Sequence, residues 1–242
     1  MTTEAFSPAE FETPRRAIAI VAHPDDTEFG CSGTVAKWAR AGSEIHFIVL
    51  TSGDKGTDDP ATDTMALRRT REAEQEAAAR ILGVTSCAFL RFNDGELVNN
   101  LEMRGAVVRQ VRRFKPEVIF TWDPLTRNYR MHPDHRVCGQ LALEAAFPAA
   151  MMPLSYLAQL REEGLEVHRT KKLLLFGSDA PDYFVNIGEV LDQKFEATRA
   201  HVSQFDWSDG GIKLEERMRQ RVREAAKGLN FEYAEAFKLV EL

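Results

Sequence analysis

The chain alternates between short, continuous apolar runs and longer segments in which apolar residues recur every three or four positions. The first run, Arg16-Ala-Ile-Ala-Ile-Val-Ala22, is apolar at every position after the arginine, the pattern of a strand buried on both faces. Past the polar stretch that follows, residues 30–41 place small and apolar side chains at helical spacing, with Gly42 as a stop. Residues 44–51 read as a second strand, 64–82 as a long helix ended by Gly83, 84–91 as a third strand and 100–114 as a helix. Pro116 introduces a fourth strand over 117–122. This alternation predicts right-handed crossovers and a parallel sheet. A doubly wound order 3-2-1-4 would make the first and fourth strands neighbours at the switch point. Residues 171–176 and 183–187 read as two later strands joined by a turn over 177–182, followed by helices over 188–202 and 212–227. These helices are separated by Gln204-Phe-Asp-Trp-Ser-Asp-Gly-Gly211. The tail, 231–242, is aromatic and apolar enough to dock onto the body. The expected architecture is α/β: a Rossmann-like, doubly wound, mostly parallel sheet with a C-terminal strand pair and helices. It forms one domain over 15–242 behind a frayed arm of residues 1–14.

Bulk properties narrow the class. With 242 residues, 44% of them hydrophobic, the chain can bury one sizeable core. The net charge of -6 and the lack of any basic run point away from nucleic acid. Cys31, Cys87 and Cys138 stand far apart without a Cys-x-x-Cys, as expected of reduced thiols in a cytoplasmic protein. The first fourteen residues lack an apolar signal core. The most apolar later stretch, 141–160, holds Glu144, Pro148 and Pro153, so no membrane span is expected.

Two polar clusters interrupt the strand–helix pattern. The first, His23-Pro24-Asp25-Asp26-Thr-Glu28, lies at the carboxyl end of the first strand, where open α/β sheets bind ligands. His23 can offer an imidazole nitrogen and Asp26 a carboxylate oxygen to a borderline metal such as zinc. Adjacent aspartates diverge, so one suits the ion and the other proton transfer. The second cluster, His132-Pro-Asp-His135, follows the fourth strand and enters a helix over 137–146. If strands one and four are neighbours, His132 and His135 arrive beside His23 and Asp26. A His, Asp, His set with an open position is the arrangement of a hydrolytic metal centre, not a closed structural one. His46, His168 and His201 have no partner motif and read as core or surface residues. Residues 52–63 read as a flap at the same edge, and 141–165 as a channel wall or subunit contact. Met151-Met152 and the tail offer surfaces for a homo-oligomer.

Together these motifs resemble the LmbE-like, or PIG-L, family of zinc-dependent N-deacetylases. The resemblance extends to Arg71-Glu-Ala-Glu74 with Leu82-Gly83, Phe92-Asn-Asp94-Gly95-Glu96, Thr121-Trp-Asp-Pro124, His201-x-Ser-Gln204 and Tyr233-Ala-Glu-Ala-Phe237. The wording around His132 is closest to the branch that contains diacetylchitobiose deacetylases. The resemblance implies that His23, Asp26 and His135 hold one zinc ion per chain, or another divalent metal in its place. It implies Asp25 as general base, His132 as the residue that stabilises the oxyanion or protonates the leaving amine, and Arg71 and Asp94 as contacts to sugar hydroxyls. One departure stands out: where the mycothiol branch carries a tyrosine two residues before the first motif histidine, this chain has Arg130. Tyr129 is therefore left out of the catalytic set.

The implied activity is removal of the acetyl group from an N-acetylglucosamine-type sugar or glycoconjugate. A metal-activated water attacks the acetamide, and an aspartate takes its proton. Two alternatives remain on sequence grounds. One is a zinc hydrolase of another bond, such as a non-sugar or thiol-conjugate amide, or a phosphoester, for which two metals about 3.5–4 Å apart are usual. The other is a non-catalytic sugar- or nucleotide-binding module. Against a nucleotide site stands the absence of a Gly-x-Gly-x-x-Gly. Against binding alone stands Asp25 beside a full ligand set, since binding needs no base.

Overall fold

The computed structural model describes residues 11–205 and 211–242. Its parallel strands are β1 (Arg16–Val21), β2 (Glu44–Thr51), β3 (Ser86–Phe92), β4 (Val118–Trp122) and β5 (Lys172–Phe176). Two further strands, β6 (Tyr183–Asn186) and β7 (Ala234–Glu241), complete one seven-stranded sheet in the order β3-β2-β1-β4-β5-β7-β6. β7 runs antiparallel to both its neighbours. The order 3-2-1-4 expected from the alternation is the order observed, and it makes β1 and β4 adjacent.

Helices cover both faces: α1 (Asp26–Gly30), α2 (Ser32–Arg40), α3 (Thr64–Leu82), α4 (Leu101–Phe114), α5 (Pro133–Glu144), α6 (Leu157–Arg161), α7 (Leu191–Arg199) and α8 (Ile212–Ala225). The continuous apolar run of β1 is explained by its two sides. Ala17, Ala19 and Val21 pack with Trp38 of α2, Leu82 of α3 and Phe195 of α7, whereas Ile18 and Ile20 pack with Val107 of α4 and Leu141 of α5. His46 is structural, as expected: its ring stacks on Phe114 and bonds Ser86 Oγ at 2.8 Å.

Several elements differ from the sequence reading. The tail does not merely dock; 234–241 is the strand β7, inserted between the two strands expected to be neighbours. Glu235 and Phe237 are both buried. This buried carboxylate accepts from the N–H groups of Gly33 and Thr34 at 2.8 and 2.7 Å, at the start of α2, and from Lys194 Nζ at 2.8 Å. It thus supplies the negative charge that a helix N-terminus favours. The single helix expected over 30–41 is two helices that break at Cys31, and the first begins at Asp26. Gly30 is there because the Phe176 ring would stand 2.6 Å from an added Cβ.

None of the described residues that line the cleft comes from the segment 141–165. It wraps the fully buried Arg112, whose guanidinium donates to the carbonyls of Ala149, Ala150, Met152, Ser155 and Tyr156. A hydrophobicity pattern cannot show that one buried cation organises an apolar loop. Residues 1–10 of the expected arm and Asp206 to Gly210 of the expected interhelical segment lie outside the described residues. Phe11 stacks on Tyr183 at 4.9 Å. Among the described residues no helix is long and apolar enough to cross a membrane.

Removing Glu235 strands the buried Lys194 ammonium and uncaps α2. Glu235→Ala is expected to lower the unfolding free energy by about 3–5 kcal/mol in urea titrations. A loss under about 1 kcal/mol would mean that β7 is held by its backbone ladder alone.

Candidate metal centre

The ends of β1 and β4 lie side by side, and the chain beyond each carries one polar cluster. Gly139 lets α5 rest directly on the end of β4, since a Cβ there would meet Trp122 O at 2.3 Å. That approach carries His132, the N-cap of α5, and His135 in its first turn to the β1 side. His23 Nδ1 stands 3.2 Å from His135 Nε2, across 112 residues of chain.

Asp26 completes the grouping. Its Oδ2 accepts from the N–H groups of Ala22 and His23 and from the Trp122 indole, each at 3.0 Å. With Oδ2 so occupied, Oδ1 faces His135 Nε2 at 3.1 Å, and the His23 Nδ1 to Asp26 Oδ2 distance is 3.9 Å. Four ligands at about 2.0–2.1 Å in a tetrahedron stand about 3.3–3.4 Å from one another. The His23–His135 and His135–Asp26 spacings match this, whereas His23 stands farther from Asp26; the three groups whose ligand atoms already lie within 4.8 Å of one another are His23, His132 and His135, and Asp26 joins them through His135. The chemistry of His23, Asp26 and His135, two imidazoles and a carboxylate, suits zinc among other first-row ions.

The surroundings favour positive charge. The far nitrogen of His23, Nε2, faces Asp94 Oδ1 at 3.1 Å and Asp134 Oδ2 at 3.3 Å. Burial opposes a charge on this ring, but hydrogen bonds to Asp134 and Asp94 and the Asp26 carboxylate raise its pKa to about 10. Burial likewise opposes charge on Asp26, yet His135, His23 and the Trp122 N–H hold its carboxyl far below the usual range. Asp94 is lowered to about 2, burial being outweighed by the His23 hydrogen bond and the Lys55 N–H. A carboxylate behind a ligating histidine is the usual means of fixing its tautomer and strengthening it as a ligand.

Asp25 sits beside the grouping and points another way. Its Oδ2 accepts from Arg71 Nη2 at 3.1 Å, and burial raises its pKa to about 6 despite that guanidinium. Arg71 is buried and also donates to Gly53 O at 2.7 Å and Pro24 O at 2.8 Å. His132 Nδ1 accepts from Asp134 N–H at 3.1 Å, which leaves the ring proton of the neutral imidazole on Nε2. Its ring lies edge-on to His23, with centroids 4.9 Å apart. All seven residues singled out from the sequence, His23, Asp25, Asp26, Arg71, Asp94, His132 and His135, line one cleft of about 470 Å³, within the range of small-molecule sites. Lys55 and Gly56 join them from the expected flap, and Phe29, Trp122 and Phe205 add apolar surface. Tyr129 is fully exposed and outside the cleft lining.

Two contributors were missed. Asp134 lies inside the His-Pro-Asp-His motif but was given no task. Besides facing His23, it accepts the N–H groups of Gly95 and Leu97 at 2.7 and 3.2 Å and so pins the turn that carries Asp94. Its place between two histidines was a signal. Trp122, which bonds Asp26 and stacks flat on His135 at 4.0 Å, read as the last residue of a strand and as part of the Thr121–Pro124 motif, without a task of its own.

Comparison with known proteins agrees with this geometry. The family model described as PIG-L, GlcNAc-PI de-N-acetylase, matches residues 18–146, a span that includes both polar clusters. The chain belongs to the PIG-L family. It is 33% identical to a diacetylchitobiose deacetylase of Thermococcus kodakarensis over 81% of this chain and 72% of that protein. It is 29% identical to a 1D-myo-inositol 2-acetamido-2-deoxy-alpha-D-glucopyranoside deacetylase of Thermobispora bispora over 78% of this chain and 79% of the relative. Among solved structures, the N,N'-diacetylchitobiose deacetylase of Pyrococcus horikoshii in complex with an inhibitor superposes with a TM-score of 0.87 at 30% identity. The match covers 94% of this chain and 84% of that one. The mostly parallel sheet read from the alternation is thus the fold of these deacetylases.

Trp122→Phe keeps the stack on His135 and removes the donor to Asp26. Isothermal titration is expected to show metal affinity reduced about 10–100-fold. Unchanged affinity would mean that the two backbone N–H groups alone orient Asp26.

Proposed function

We propose that this chain is a zinc-dependent N-deacetylase that hydrolyses the acetamide of an N-acetylglucosamine-type sugar or glycoconjugate. The observation that supports the reading is the approach of His23 and Asp26 to His135, with a second carboxylate, Asp25, on Arg71 in the same cleft. The named relatives support the choice of substrate class, since both names describe acetylated amino sugars.

His23, Asp26 and His135 would hold the metal. Zinc there supplies a Lewis acid for the amide carbonyl and lowers the pKa of water towards about 7. Asp25 takes the proton of the attacking water, and Arg71 fixes the direction of its carboxylate. His132 presents Nε2–H to the carbonyl oxygen as negative charge builds there. The proton held by Asp25 then goes to the amine as the C–N bond breaks, which releases acetate and the free amino sugar. Asp94 and Lys55, at the cleft wall, meet sugar hydroxyls. Arg71 already bonds three protein oxygens, so holding Asp25 is its first task and contact with the sugar its second. The three cysteines are free thiols and suit the cytoplasm.

The test is release of amine and acetate from a panel of N-acetylated sugars. Equal amounts of the two are expected, stopped by a chelator and restored by zinc. Asp25→Asn should keep one metal ion per chain and lose about 10²–10⁴-fold in kcat. Wild-type turnover by a fully loaded Asp25→Asn enzyme would overturn the assignment.

A further inference from the structure

Asp25 is held in an unusual way. Its backbone lies at φ 89°, ψ -19°, a left-handed conformation that side chains other than glycine rarely adopt. Its N–H donates to the side-chain oxygen of Gln75 at 2.8 Å, from the middle of α3. Gln75 is fully buried, and its amide nitrogen faces Glu28, 3.3 Å from Oε1 and 3.5 Å from Oε2, and Thr27 Oγ1 at 3.4 Å. Glu28 is also fully buried; its Oε2 accepts from Thr27 Oγ1 at 2.9 Å and meets His201 Nε2 at 3.1 Å, with His201 equally sealed from solvent. A file of polar groups thus runs from His201 through Glu28 and Gln75 to the Asp25 amide, on the side away from the cleft.

The chemistry of the file gives it a direction. A primary amide can present either end to a neighbour, but a backbone N–H can only donate. The Asp25 N–H therefore takes the oxygen of Gln75 and turns its NH2 end towards Glu28 and Thr27. His201 faces Glu28 from the other side, and the segment after it is tied to α3: Ser203 N–H and Oγ both donate to Glu74, next to Gln75. Burying three polar side chains in a file contributes little to stability compared with apolar groups of the same volume, so its presence here asks for another reason.

We infer that Gln75, Glu28 and His201 are positioning residues for Asp25, which hold its strained backbone so that the carboxylate faces the water it deprotonates. The inference rests on the reading of Asp25 as general base. It gives a task to the His201-x-Ser-Gln204 motif, which the metal centre leaves without one.

The test is a double-mutant cycle with the zinc-loaded full chain and an N-acetylglucosamine substrate. Gln75→Met keeps the volume and removes the acceptor. It is expected to lower kcat about tenfold or more, with KM within about twofold and one metal ion per chain. Placed in Asp25→Asn, the same change should alter the residual turnover by less than about twofold, because the group it acts through is gone. His201→Gln, which keeps an N–H towards Glu28, should retain kcat within about threefold, whereas His201→Leu should behave like Gln75→Met. That pair decides the question if Gln75→Met does not fold. Unchanged kcat in folded Gln75→Met, or an equal loss with and without Asp25, overturns the inference. Wild-type turnover in Asp25→Asn alone removes the base reading instead, whatever Gln75→Met does.

Discussion

One carboxylate holds the two halves of the centre together. Asp26 belongs to the loop after β1, yet one of its oxygens is fixed by two N–H groups of its own loop and by an indole from the end of β4. A carboxylate whose first oxygen is saturated by three donors has little freedom left, and the second oxygen is aimed at one place. His135, stacked on the same indole, is aimed there too. The geometry of the centre is therefore a property of the β1–β4 junction and not of either loop alone. It requires those strands to be neighbours, and the doubly wound order makes them so.

Charge reinforces the same point. Asp26, Asp94 and Asp134 crowd around His23 and His135, more negative charge than a buried pocket tolerates unless a cation or protons offset it. The upward pull on His23 expresses that imbalance. A divalent ion held by the proposed ligands would answer it in another way, displacing a proton as it binds. Asp25 stands apart because Arg71 faces it. Two adjacent aspartates in sequence thereby hold different environments in space: one is surrounded by donors and histidines, the other by an arginine at the cleft wall.

Much of this was legible in the residues. Continuous apolar runs marked β1, β2 and β4, the alternation with helices fixed their order, and the two histidine motifs fell where that order makes strand ends meet. What escaped follows from the kind of information a linear pattern carries. β7 pairs with strands far away in sequence, and its alternation is blurred because Glu235, a charged residue, points into the core to cap α2. Arg112 is a fully buried cation whose partners are backbone carbonyls and the Gln159 side chain, brought together from a loop distant in sequence, which no hydrophobicity pattern reveals. Trp122, Asp134 and Gln75 act through other residues, and their tasks are visible only once the atoms they touch are known.

The account stands or falls on two loops gripping one ion, and metal content after exhaustive dialysis tests it most directly. One divalent ion per chain is expected in the wild type, and none in either His23→Ala or His135→Ala, although the two positions lie 112 residues apart. Full metal content in either variant would contradict the shared site.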